Sequence, residues 1–158
     1  MQTAKIEKHS INLLEIIKKN IDLAEPASLD KRVHIDLATD CDINAFADYN
    51  MVDAVVRNFI SNAIKYTKED GRVTISCFSE DSNAILKVED TGIGMSKYNL
   101  DNLFTIDKIK SRPGTKSEAG AGLGLILCNE FAERNDGKIW AESKVGKGSK
   151  FYLKLPLN

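Results

Sequence analysis

Three short segments of the chain carry residues whose types and spacing could serve chemistry. Asn58, Asn62 and Lys65 stand four and three positions apart, a spacing that places side chains on one face of an α-helix. A carboxamide oxygen there suits a hard cation such as Mg²⁺, and the lysine can neutralise phosphate charge. Asp90 opens the segment DTGIGM, and residues 120–125 read GAGLGL, where exposed amides at a helix start can bind phosphate oxygens. Together the segments predict a nucleotide pocket.

The carboxylate of Asp90 favours adenine over guanine as the base. An ionised aspartate only accepts hydrogen bonds, so a buried Asp90 suits the exocyclic amine of adenine, whereas guanine offers a carbonyl at that edge. We expect Gly92 and Gly94 to let the backbone approach the base closely and to adopt positive φ. Each segment alone has an ordinary explanation: a solvated helix face, a turn after a strand, or a capped helix start.

Hydrophobic periodicity predicts the elements that must position these residues. The central one is an amphipathic helix over residues 48–66, whose apolar positions follow helical offsets: Val52, Val55, Val56, Phe59, Ile60, Ala63 and Ile64. A second helix is predicted over residues 11–23, which Pro26 should end or kink. A third, over residues 122–132, is apolar nearly all round, as a buried helix would be.

Alternating apolar residues predict the strands. They occupy residues 32–38, an antiparallel hairpin of 72–79 with 84–89, and a closing hairpin of 138–143 with 149–155. The predicted fold is an α/β (α+β) two-layer sandwich, with helices on one face of a mixed, mostly antiparallel sheet.

Composition bounds the class of protein. The chain has 158 residues and a formal net charge of -1, so we expect one domain over residues 1–158 and no nucleic-acid binding. Cys41, Cys77 and Cys128 show no C-x-x-C pairing, which favours packing thiols in a reducing cytosol over metal ligands or disulfides. No apolar run approaches the ~20 residues of a bilayer span. We expect a cytoplasmic piece without membrane contact, whether or not its parent protein is anchored.

The three segments resemble the N, G1 and G2 boxes of the GHKL ATPase and kinase superfamily. The closest resemblance is to the catalytic ATP-binding domain of bacterial two-component sensor histidine kinases, which has the Bergerat fold. It extends over residues 10–156 and includes Ala47-Asp48 before the first box and the closing GKIWAESKVGKGSKFYLKLP. The resemblance implies ATP and Mg²⁺ as cofactors.

The resemblance also implies roles for individual residues. Asn62 stands where the family places its magnesium ligand, Asp90 where it places the main base-recognition residue, and Tyr66 near the bound nucleotide. Phe104 occupies the F-box position. Further nucleotide contacts are implied for other residues of the boxes: Asn58, Lys65, Gly92, Gly94, Gly120, Gly122, Leu123 and Gly124.

Residues 104–119 are expected to form a lid over the triphosphate. They show little periodicity and no apolar anchors, which predicts a segment that is disordered without nucleotide. Its cations are Lys108, Lys110, Arg112 and Lys116. Lys110 is counted among the nucleotide-binding residues, but which cation reaches the γ-phosphate stays open, and a solvated charged loop is the ordinary alternative. Ala121 replaces the threonine that is usual in the second glycine box.

Asn58 distinguishes kinase from ATPase within the superfamily. The ATPase branches place a glutamate there as general base for the attacking water, and an asparagine side chain cannot take that proton. The resemblance therefore favours transfer of the γ-phosphoryl group to a histidine, with Asn58 and Lys65 as the catalytic residues of this chain.

Neither histidine of the chain resembles a phosphate acceptor. His9 lies where the family's first strand begins, and His34 lies in a predicted strand. We therefore expect a monomeric catalytic domain that binds ATP and ADP and acts on a histidine-bearing dimerisation domain, and through it on a response regulator. The alternatives are a hydrolytic GHKL ATPase that closes a dimer clamp, a non-catalytic ATP-binding or scaffold module, and a serine kinase of the anti-sigma type.

Overall fold

The structure is a computed structural model, which describes residues 5–105 and 124–157. Within these ranges the elements follow one another along the chain as β1 (Lys8–Asn12), α1 (Leu13–Lys31), β2 (His34–Leu37), β3 (Asn44–Asp48), α2 (Tyr49–Tyr66), β4 (Arg72–Glu80), β5 (Asn83–Asp90), α3 (Lys97–Asp101), α4 (Gly124–Arg134), β6 (Lys138–Lys144) and β7 (Gly148–Pro156). No helix in the described ranges combines the length and apolar character that a bilayer crossing requires.

The main sheet has five strands in the order β2-β4-β5-β7-β6. β2 pairs with β4 in parallel, and every other neighbouring pair in this sheet is antiparallel. The predicted mixed, mostly antiparallel sheet is therefore confirmed. Both predicted hairpins are present, and Asp81 and Ser82 turn the first with φ of 49° and 65°, the left-handed geometry of a tight two-residue turn.

Helices cover one face of this sheet. Alternate residues of the three central strands are buried beneath them, among them Val73, Ile75, Cys77, Leu86, Val88, Phe151, Leu153 and Leu155. Phe59 of α2 packs its ring against Phe151 of β7, with 5.4 Å between the ring centroids. The predicted two-layer sandwich is confirmed, and α2 lies at the centre of its helical layer.

The predicted amphipathic helix is α2. All seven of its predicted apolar positions are buried. Asp48 caps its first turn, because Asp48 Oδ1 accepts a hydrogen bond from the backbone N–H of Met51 at 3.0 Å. The cap is itself held in place: the backbone N–H of Asp48 donates to Asn135 Oδ1 at 2.7 Å. Burial and capping together fix the helix that carries the first box.

The prediction for the first helix was wrong at both ends. Residues 8–12 form a strand that pairs with β3 in a separate two-stranded sheet. The helix then runs through Pro26 to Lys31. A proline removes one backbone donor, but the turn after Pro26 is held by other bonds, such as Ser28 Oγ to the Glu25 carbonyl at 2.9 Å. Arg32, with φ of 61°, ends the helix instead.

The last helix is less buried than its composition predicted. On α4 only Cys128 and Ala132 are buried, and Leu127 is 48% exposed. These two buried residues are four apart, so one narrow face of the helix meets α2 and the sheet. The three thiols do occupy packing positions, since Cys41, Cys77 and Cys128 are all buried. Burial raises the pKa of Cys128 to about 12.

Candidate functional site

The polar stripe predicted from residue spacing is present on α2. Asn58, Asn62 and Lys65 are half-buried and border the apolar face of the helix. The side-chain amide of Asn62 donates a hydrogen bond to Asn58 Oδ1 at 3.3 Å, which links the two asparagines. The Lys65 ammonium lies over the ring of Tyr66, 5.2 Å from its centroid.

Asp90 is the last residue of β5, and its side chain is buried. Asp90 Oδ1 accepts hydrogen bonds from the backbone N–H of Gly92 at 2.8 Å and from that of Ser149 at 3.2 Å. Two backbone donors from different parts of the chain thus fix the direction of the carboxylate. A buried, oriented carboxylate is the arrangement that the sequence predicted for reading an amine.

The segment after Asp90 is tied to the end of α2. The backbone N–H of Ile93 donates to the Tyr66 carbonyl at 3.1 Å. A Cβ atom on Gly92 would lie only 2.3 Å from that same carbonyl oxygen. The glycine is therefore required by its close approach to α2. The expectation of positive φ at Gly92 was wrong, because only Gly94 of the two adopts it, at 69°.

The turn between β6 and β7 supports this segment from the other side. Gly146 N–H donates to the Ile93 carbonyl at 2.9 Å, and Met95 N–H donates to Ser143 Oγ at 2.8 Å. The hydroxyls of Ser143 and Ser149 are 2.7 Å apart, which joins this support to the residue that donates to Asp90. Sequence reasoning missed both serines. Their one signal was their place in the closing segment that resembles the family.

The described part of the second glycine box meets the other end of the stripe. Gly124 begins α4, and a Cβ atom there would lie 2.6 Å from Asn58 Nδ2. α2 therefore contacts the first glycine box at Tyr66 and the second at Asn58. Eight helical residues separate these points, a rise of about 12 Å along the axis.

Phe104 and the other predicted residues of the lid and second glycine box lie at the edge of the described ranges or outside them. Phe104 is partly buried and packs against the core at the end of the first described range. The remaining predicted residues of the lid and second glycine box lie outside the described residues: Lys108, Lys110, Arg112, Lys116, Gly120, Ala121, Gly122 and Leu123.

The residues present fit a magnesium ion that arrives with a nucleotide. In the described ranges no three histidine, cysteine, aspartate or glutamate residues cluster to form a protein-only metal site. Asn62 uses its amide nitrogen to bond Asn58, so its carbonyl oxygen is the atom suited to a hard cation. Mg²⁺ commonly takes one or two protein oxygens and completes its shell with phosphate and water.

Comparison with known proteins agrees with this geometry. Residues 47–158 match the model of the family described as histidine kinase-, DNA gyrase B-, and HSP90-like ATPase. The chain belongs to this family. The match begins at Ala47, beside the residue that caps α2, and supports an ATP-binding kinase catalytic domain.

Relatives narrow the family to its histidine kinase branch. The chain is 35% identical over 127 residues to the sensor histidine kinase RppB of Synechocystis, covering 78% of this chain and 28% of RppB. It is 36% identical over 109 residues to the sensor protein SrrB of Staphylococcus aureus, covering 69% of this chain and 19% of SrrB. The chain thus spans less than a third of these curated relatives.

The fold also agrees with that of a solved histidine kinase catalytic domain. The catalytic domain of histidine kinase ThkA superposes with a TM-score of 0.81 at 25% identity, covering 96% of each chain. The resemblance to a histidine kinase ATP-binding domain, stated from the three boxes, is confirmed.

Proposed function

We propose that the chain binds Mg·ATP and donates the γ-phosphoryl group to a histidine on a separate dimerisation domain of its parent kinase. One observation carries the proposal: α2 joins the buried carboxylate at one end of the site to the second glycine box at the other. Gly92 and Ile93, which follow Asp90, meet α2 at Tyr66, and Gly124 meets it at Asn58. A polar stripe runs between them.

The candidate residues would contact successive parts of a bound nucleotide. Adenine would place its amine at the Asp90 carboxylate, and the phosphates would extend along α2 towards Asn58 and Gly124. Asn62 would hold the metal ion through its amide oxygen, and Lys65 would neutralise phosphate charge. Bound Mg²⁺ would supply further charge neutralisation to the phosphates. The part played by this chain is positioning and electrostatics, which dominate phosphoryl transfer.

A histidine acceptor needs no general base at the position of Asn58. In the proposed step the bond from the γ-phosphorus to the bridging oxygen breaks, and its electron pair leaves on ADP. A phosphorus–nitrogen bond forms to the lone pair of a neutral imidazole, and the proton on the other ring nitrogen is lost to solvent. A neutral imidazole, with a usual pKa of about 6.5, already offers a lone pair at neutral pH. Water must lose a proton to attack, and Asn58 cannot accept one. The site therefore suits a histidine acceptor better than water.

Two solved structures of similar fold support the assignment of ligand and partner. Full-length ShkA, with a TM-score of 0.80 at 21% identity, was crystallised with AMPPNP; the match covers 99% of this chain and 32% of ShkA. ThkA, with a TM-score of 0.77 at 22% identity in this second structure, was solved in complex with the response regulator protein TrrA, where the match covers 97% of this chain and 42% of ThkA. We propose a nucleotide for this chain, and a response regulator as the indirect partner of its parent, in the cytoplasm.

Calorimetric titration of ATP with Mg²⁺ into the wild type and Asp90→Asn tests the proposal. The side-chain carbonyl of the introduced asparagine can still accept from Gly92 and Ser149, so we expect the variant to fold. The substitution removes a charged acceptor for the adenine amine, which should weaken ATP binding by at least about tenfold. Circular dichroism and thermal unfolding check the fold. Equal affinity of the two folded proteins, or no binding to the wild type, would contradict the assignment.

A further inference from the structure

Lys31 is a buried lysine outside the candidate site. It is the last residue of α1 and only 5% exposed. Its ammonium donates hydrogen bonds to the carbonyl oxygens of Ile64 at 3.0 Å and Lys65 at 2.7 Å. Lysine is almost never fully buried without partners. Here its charge lies at the negative, C-terminal end of α2, where a cation is stabilising.

The carbonyl groups in the last turn of α2 all have partners that are not part of the helix. The last four carbonyl groups of an α-helix have no N–H donor within the helix. Ala63 O accepts from Thr67 Oγ1 at 2.6 Å, and Tyr66 O accepts from Ile93 N–H at 3.1 Å. Lys31 serves the two carbonyls between them. The end of α2 is therefore held by α1 on one side and by the segment after Asp90 on the other.

We propose that Lys31 is a positioning residue of the nucleotide site, because it fixes the end of α2 to which the segment after Asp90 is bonded. The inference rests on the proposed function. The hydrogen bonds from Lys31 to Ile64 and Lys65 end on backbone oxygens. The residue therefore acts through the backbone of Lys65, whose side chain belongs to the stripe, and through the adjoining carbonyl of Tyr66, to which Ile93 is bonded.

A second buried contact between the same two helices provides a matched control. Asn20 of α1 is 2% exposed and donates to Asp53 Oδ1 of α2 at 2.8 Å. Asp53 precedes Lys65 by twelve residues, which is about 18 Å along the helix. Removing either contact should destabilise the packing of α1 on α2. Only removal of the Lys31 contact should disturb the site.

The experiment compares Lys31→Met, Lys31→Arg and Asn20→Ala with the wild type. Three quantities are measured on each: the free energy of unfolding in urea, the dissociation constant for Mg·ATP by calorimetry, and the hydrogen-exchange rate of the Ile93 amide by NMR. Binding and exchange are measured well below each unfolding temperature. Should Lys31→Met not fold, Lys31→Gln replaces it, since glutamine keeps one donor for the two carbonyls.

We expect Lys31→Met and Asn20→Ala both to lower stability. Only Lys31→Met should raise the dissociation constant and accelerate exchange at Ile93. We expect the constant to rise by about fivefold, because only part of the free energy of one charged hydrogen bond is lost from binding. Lys31→Arg should restore most of the affinity for Mg·ATP and most of the protection of the Ile93 amide. Equal binding and equal Ile93 exchange in Lys31→Met and Asn20→Ala would overturn the inference. A wild type that does not bind ATP would refute the proposed function, and the exchange rates would still test the role of Lys31.

Discussion

At the scale of single residues, the candidate site depends on close contacts with backbone atoms. Gly92 shows this most directly. Its φ is ordinary, but its α-carbon lies so close to α2 that an added methyl group would meet the Tyr66 carbonyl oxygen at 2.3 Å and Asp90 Oδ1 at 2.8 Å. Backbone atoms cannot rotate away as a flexible side chain can. The glycine therefore sets the separation between the Asp90 carboxylate and the helix.

Gly92→Ala should thus weaken ATP binding by more than about tenfold and lower stability by about 1–3 kcal/mol, the usual cost of an overpacked site. Gly146→Ala is the control. A Cβ atom at Gly146 meets nothing within 4 Å, and alanine keeps the backbone N–H that donates to the Ile93 carbonyl. The variant should therefore cost about 1 kcal/mol of strain from its positive φ and leave affinity near the wild-type value. Calorimetry and urea unfolding measure both effects. Unimpaired binding by Gly92→Ala would show that the close contact can relax.

At the scale of elements, the N-terminal cap of α2 ties the helix to Glu7, the residue that precedes β1. Asp48 Oδ1 accepts from Met51 N–H at 3.0 Å, and Asp48 Oδ2 accepts from Glu7 N–H at 2.9 Å. Burial raises the pKa of Asp48, but the hydrogen bonds from the backbone of Glu7, Met51 and Asn50 outweigh it and hold the pKa below its usual value. The ionised form is therefore the one that stabilises the fold.

Asp48→Ala should cost about 1–2 kcal/mol of stability at neutral pH, as expected for a lost cap. Because the folded pKa of Asp48 is depressed, its charge contributes stability above the unfolded pKa of about 3.9, and this contribution is lost as the pH falls through the lower folded value. Asp48→Asn keeps one neutral acceptor in place of the two carboxylate oxygens, so the pH-dependent part of its difference from the wild type reports the charge. Urea unfolding across this acidic range should show the difference between wild type and Asp48→Asn shrinking as pH falls; a constant difference would contradict the assignment.

The elements that could be predicted from the sequence are those with long, regular apolar patterns. α2 and both hairpins have them. β1 and β3 do not, since each has five residues and the buried positions of β3 include Ala45 and Ala47, whose side chains give a weak signal. The extension of α1 past Pro26 is supported by contacts to α2, which local propensity does not contain.

The same distinction applies to the candidate site. Its members were predicted because their types and spacing are local. The residues that hold them, Ser149 at Asp90 and Lys31 at Lys65, are 59 and 34 positions away in sequence. No local pattern encodes such contacts, so one sequence could indicate the candidate ligand-binding residues but not the residues that support them.

At the scale of the whole molecule, the two histidines bear on how the proposed reaction is completed. An acceptor nitrogen must come within about 3–3.5 Å of the phosphorus and in line with the departing oxygen. His9 lies in β1 opposite Ala47, and His34 lies in β2 opposite Arg72. β2 is an edge strand, separated by β4 from the strand that ends at Asp90. That places His34 on the proposed base side of the site, away from Asn58 and Gly124.

Both histidines are also fixed in strand pairs, so neither backbone can carry its imidazole to the proposed phosphate end. The chain incubated with Mg·ATP labelled in the γ-phosphate should therefore bind the nucleotide without incorporating label, and it should release phosphate no faster than Asp90→Asn. Gel autoradiography under alkaline conditions, which preserve phosphohistidine, measures incorporation, and His9→Ala with His34→Ala is the matched control. Stoichiometric label that disappears in this double variant would show that the chain contains its own acceptor. Rapid phosphate release without label would favour the hydrolytic branch of the family. A group other than Asn58 would then have to act as the base for the attacking water.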